Sequence, residues 1–154
     1  MKAQLAAWGA LLRANLMPWN EYVENLHALF LKNPENDFLL KLEMSASNEK
    51  DTYAILFDIA DNLTDAEKPT YANIIFAPLE KIYRANLPIR QFNEIAQRLW
   101  NQILFDTNYQ EPFVFLTMAD DYLDDEVDRE SAARELFEQA FSYYKGYIKR
   151  RNCP

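Results

Sequence analysis

The run Asp120-Asp121-Tyr122-Leu123-Asp124 is the part of this sequence closest to a reactive arrangement. Carboxylates one helical turn apart share a helix face. Such a pair can chelate Mg²⁺, and the bound ion can in turn hold a pyrophosphate. The same run opens a longer acidic stretch, Ala119 to Glu130. It holds Asp120, Asp121, Asp124, Asp125, Glu126, Asp128 and Glu130 against one cation, Arg129. One segment therefore offers two chemistries: metal chelation, or docking of a cationic partner.

The D-D-x-x-D spacing matches the aspartate-rich motif of all-α isoprenoid synthases. Those enzymes are much longer, and they carry a second facing motif and basic pyrophosphate-binding residues that are not visible here. Glu21-Tyr22-Val23-Glu24 matches E-x-x-E, half of the metal site of all-α nucleoside-triphosphate pyrophosphatases. Its usual companion is E-x-x-D on the following helix. The nearest candidate is Asp58-Ile59-Ala60-Asp61, with the wrong first residue and a long separation. With 24 acidic residues in the chain, E-x-x-E arises readily by chance. A metal-dependent pyrophosphate enzyme is the alternative reading of these carboxylates.

His27 is the only histidine. It has no identifiable nucleophile to activate, and its place at the edge of an apolar face predicts a partly buried structural role. The lone Cys153 allows no intrachain disulfide, which fits a reducing compartment. Cys and His are too few for a zinc site. No catalytic residue, cofactor or metal site is expected.

The helix dipole favours acidic residues near the start of the last helix by about 0.3–1 kcal/mol each. That accounts for Asp128 and Glu130. It does not account for the carboxylates crowded just upstream, which repel one another. A cationic partner that neutralises them would. Asp120, Asp121, Asp124, Asp125, Glu126 and Asp128 are the candidate partner-binding residues, with Tyr109 as a neighbouring exposed aromatic. Phe76, Phe105, Phe115 and Tyr143 also fall off the main helical stripes. They either fill a second core face or serve as interface anchors.

The elements that must position this stretch are helical almost throughout. Two glycines in 154 residues exclude glycine-rich phosphate loops. Hydrophobic residues make up 49%, enough for a single domain with a sizeable core. Leu5, Trp8, Leu12 and Leu16 form the stripe of a first helix, and Pro18 suits the first turn of the next. Thr64 and Glu67 form a capping-box pattern before a helix that runs through Pro78. Pro88 starts another helix, Phe105 to Gln110 reads as a loop, and Glu111-Pro112 opens a short helix. The last helix runs from about Ser131 to Arg150. The expectation is an all-α single domain of about eight antiparallel helices joined by short loops.

Arg13-Ala14-Asn15-Leu16 recurs as Arg84-Ala85-Asn86-Leu87, each followed by a proline. Leu42-Glu43-Met44 recurs as Leu116-Thr117-Met118. The order of features also matches, so two pseudo-repeated four-helix units, 1–70 and 71–154, are one expectation. Convergent helix punctuation is the other. The acidic stretch falls where the first half has only the short turn Ser45 to Glu49, a usual place for a binding loop.

A net charge of −8 disfavours nucleic acid and anionic membrane as partners, and favours basic proteins. No apolar run approaches the roughly 20 residues of a membrane span. The early L-A-A-W-G-A-L-L is short, has one flanking cation and is followed by Arg13, so it reads as helix rather than signal peptide. A cytoplasmic protein is expected.

In its acidity, its single domain, its lack of catalytic apparatus and its Asp120 to Glu130 cluster, the chain resembles the small acidic immunity proteins of bacterial contact-dependent inhibition and related toxin systems. The resemblance implies no enzymatic activity. It implies a cognate toxin domain as partner, usually a nuclease with a basic cleft, which the carboxylates would fill as phosphate mimics. A helical-repeat adaptor using a concave face is a third reading.

Overall fold

Helix α1 (Lys2–Arg13) has no charged residue between its ends, and it buries nearly every position from Ala3 to Leu12. An amphipathic stripe would bury only one side. The all-round burial makes α1 the central helix, packed against α2, α4, α5 and α6. The other helices are α2 (Trp19–Lys32), α3 (Asp37–Ser45), α4 (Glu49–Asp61), α5 (Lys68–Arg84), α6 (Ile89–Trp100), α7 (Val114–Asp121) and α8 (Glu130–Arg151). The computed structural model describes residues 1–103, 107, 110–124 and 129–151, the side chains of 147–151 excepted. The described residues are all-α, with eight helices and no strand.

The packing follows one pattern twice. In the first half α2 lies on α3, α3 on α4, and α4 on α1. In the second half α6 lies on α7, α7 on α8, and α8 on α5. Helices α1 and α5 join the halves. A single core runs through both, with Leu5, Leu26 and Leu42 on one side and Phe76, Phe92, Phe137 and Phe141 on the other. Each such side chain contributes about 1.5–3 kcal/mol through burial.

The recurring tetrapeptides are helix stops. Asn15 and Asn86 take φ of 56° and 57°, the left-handed region that an asparagine tolerates and most residues avoid. After α1 the Asn15 N–H donates to Leu12 O at 3.0 Å and the Leu16 N–H to Leu11 O at 2.8 Å. That is a Schellman termination. After α5 the Asn86 N–H donates to Tyr83 O at 3.3 Å in the same way. Pro18 and Pro88 then sit just outside α2 and α6 rather than in their first turns. Their carbonyls accept from Tyr22 N–H at 3.1 Å and Phe92 N–H at 3.0 Å. The repeated Leu-x-Met also has one geometry, with Leu42 and Leu116 buried and Met44 and Met118 exposed.

Several expectations are corrected. Leu16 lies beyond the end of α1. Phe76, by contrast, follows one of its two expected readings: it is fully buried, stacked on Tyr144 and tilted against Phe113, in a second core face of α5. The Thr64–Glu67 pair closes a turn ahead of α5: the Glu67 carboxylate accepts from Thr64 N–H at 3.0 Å and from its hydroxyl at 2.9 Å. Helix α5 continues through Pro78, whose cost of about 3 kcal/mol is offset by burial of Tyr71, Ile75, Phe76 and Leu79. Among the described residues, no helix is long and apolar enough to cross a membrane.

Candidate functional site

Helix α7 buries Leu116 and Ala119 and leaves Met118, Asp120 and Asp121 exposed. It ends at Asp121, and Tyr122 caps it with helical torsions. The Leu123 N–H then donates to Asp120 O at 2.9 Å, and the Leu123 side chain returns to the core. Asp124 is exposed just beyond. The chain comes back beside its own exit, because the Arg129 N–H donates to Tyr122 O at 2.8 Å. Glu130, in the first turn of α8, is exposed where the helix dipole favours an acid. Asp125, Glu126, Asp128 and Tyr109 lie outside the described residues, as do Phe105 and Cys153.

Helix α6 holds this turn from beneath. Arg90 Nη1 donates to Leu123 O at 2.6 Å, Asn93 Nδ2 to Asp120 Oδ1 at 2.6 Å, and Gln97 Nε2 to Leu116 O at 2.7 Å. Positions 90, 93 and 97 share one helix face, so α6 offers α7 a ladder of donors. The sequence reading set Arg129 alone against the carboxylates. The fold brings Arg90 as a second cation across 33 residues. Among the carboxylates, Asp120 is engaged by the buried Asn93, whereas Asp121 makes no hydrogen bond or ion pair with a described residue.

This geometry alters the metal reading. The sequence reading placed Asp120 and Asp124 on one face of a continuous helix. Here the helix stops at Asp121, three residues before Asp124, so Asp120 and Asp124 do not share a helical face. No group of three or more His, Cys, Asp or Glu side chains among the described residues could hold an ion. Glu21 and Glu24 on α2, and Asp58 and Asp61 on α4, point to solvent. His27 is not partly buried: its side chain is 57% exposed, and Nδ1 lies 2.6 Å from Glu43 Oε1 of α3.

Two features had no clear sequence signal. One is an ion network between α5 and α8. Arg84 donates to Glu138, with one contact at 2.6 Å, and lies 3.3 Å from Glu80. Glu80 also accepts from Tyr144 Oη at 2.7 Å and from Lys145 Nζ. Burial pushes the Glu80 carboxyl up, but hydrogen bonds from Lys145, Tyr144 and Arg84 outweigh it and hold the group below the usual carboxylate range. The other is an open groove along α1 and α4, lined by Arg13, Glu49, Lys50, Tyr53, Ala54 and Phe57. Phe57 is 48% exposed there, an apolar surface off the buried stripe of α4. Of the remaining off-stripe aromatics, Phe115 is half-buried and Tyr143 exposed, in edge contact with each other.

Comparison with known proteins returns no match: no family model, no curated protein and no solved structure corresponds to this chain.

Proposed function

We propose that this is a non-enzymatic binding protein whose acidic stretch docks onto a basic protein surface, as an immunity protein does when it neutralises a toxin. The supporting observation is that Asp120, Asp121, Asp124 and Glu130 are exposed in and on either side of a turn whose backbone is already held by Arg90 and by the Arg129 N–H. Carboxylates on a pre-held turn lose little conformational freedom on association. The net charge of −8 draws a cationic partner in and speeds encounter. A nuclease cleft is basic because it binds phosphates, so carboxylates at this spacing would occupy it as mimics. Asp125, Glu126, Asp128 and Tyr109 belong to the same surface by sequence. The partner would be met in the cytoplasm, where a nuclease toxin reaches nucleic acid.

The test compares the wild-type chain with one carrying Asp121→Lys, Asp124→Lys and Asp125→Lys, both used to capture partners from the native host. The wild type retains a basic protein, more strongly at low salt, and the variant releases it. Retention of the same partner by both would sink this reading.

A further inference from the structure

The two halves treat one arginine differently. Arg84, in the last turn of α5, stacks 5.8 Å from the Phe141 ring of α8. Arg13, in the last turn of α1, stacks at the same 5.8 Å over the Tyr53 ring of α4. Both arginines begin the repeated tetrapeptide, and α1 lies on α4 as α5 lies on α8. Phe141 and Tyr53 therefore occupy matching places, and neighbouring positions can be paired by counting.

Arg84 meets two carboxylates: Glu80, four residues before it, and Glu138, three residues before Phe141. The residue four before Arg13 is Gly9, and the residue three before Tyr53 is Lys50. Four residues after the aromatic, Lys145 reaches Glu80 in the second half. In the first half that position is the exposed Phe57. The first half thus keeps the arginine and the ring beneath it. At the matching positions it has neither acid, but a second cation and an exposed apolar side chain. Neither Arg13 nor Lys50 forms an ion pair with a described residue. Glu49 lines the same groove without pairing to Arg13.

We propose that the groove of Arg13, Lys50, Tyr53 and Phe57 binds an acidic segment of a partner protein. One carboxylate pairs with Arg13 as Glu138 pairs with Arg84, and an adjacent apolar side chain covers Phe57. Charge complementarity argues for this occupant, since two cations without acid partners among the described residues line one groove of an otherwise acidic protein. The second half supplies the template for what satisfies such an arginine. This site is independent of the acidic stretch.

The probe is a fluorescein-labelled peptide in which pairs of glutamates flank leucines, titrated against the whole chain by anisotropy. Saturable binding is expected, and replacing the glutamates by glutamines weakens it about tenfold or more. Arg13→Glu with Lys50→Glu abolishes it. Lys50→Glu alone and Phe57→Ser, both at exposed positions, each weaken it severalfold with the melting curve unchanged. Asp121→Lys leaves it intact. Equal affinity for wild type and the Arg13/Lys50 variant overturns the proposal, as does the absence of saturable binding to the wild type.

Discussion

The Asn93 side-chain amide donates to Asp120 Oδ1 at 2.6 Å, tying α6 to the last turn of α7. Asn93 is buried and Asp120 exposed, so the bond fixes one carboxylate of the acidic stretch from within. A hydrogen bond to a charged group contributes about 1.5–3 kcal/mol. Asn93→Ala should lower stability by about that amount in urea unfolding. Asp120→Ala should act similarly, because it strands the buried amide. If neither substitution moves the unfolding midpoint, the link between α6 and α7 is not the anchor described.

The two helix stops make a second prediction. Asn15 and Asn86 occupy left-handed torsions. Replacing either with alanine should cost about 1 kcal/mol, while glycine should be neutral or better. Thermal unfolding of the four single variants checks this. Equal effects of alanine and glycine at either site would contradict the assigned backbone.

The Glu80–Arg84–Glu138 network predicts a pH dependence. Glu80 is held below the usual carboxylate range by its hydrogen bonds against the opposing effect of burial, and Glu138 is held low chiefly by Arg84. Both values are depressed on folding. Their stabilisation is therefore complete above the unfolded value of about 4.3. It is lost as pH falls through the folded values. Glu138 is half-exposed, so water screens its share to about 0–1 kcal/mol. Glu80→Gln should be less stable than wild type at neutral pH and should lose less on acidification. Parallel stability profiles for the two proteins would remove Glu80 from the account.

Helix positions and the all-α class were legible because apolar residues recur at helical spacing and prolines mark the starts. The Arg-Ala-Asn-Leu pairs were visible as text, but their cause, a left-handed asparagine at each helix stop, is a backbone property that letters do not carry. The central place of α1 could have been read from its uncharged run between Lys2 and Arg13, which leaves no polar face. Phe76 stayed open between a core face and an interface anchor for a related reason: α5 is buried on more than one side, so a single stripe does not describe it. In the acidic stretch, composition pointed to Asp120, Asp121, Asp124 and Glu130, which are exposed. It could not reveal Arg90 or Asn93, which reach the turn only through the packing of α6 on α7. The helix stop at Asp121, which separates Asp120 from Asp124, likewise depends on Leu123 turning back into the core.

The proposed function is docking of a basic partner by the acidic stretch. Its most direct measurement is the association and dissociation kinetics of the captured partner with wild type and with the Asp121→Lys, Asp124→Lys, Asp125→Lys variant. A faster off-rate and an affinity loss of about 100-fold, or ~2.7 kcal/mol, are expected for the variant. The wild-type on-rate should fall with salt, and the variant's melting temperature should be unchanged. The same affinity and salt dependence for both proteins would contradict it.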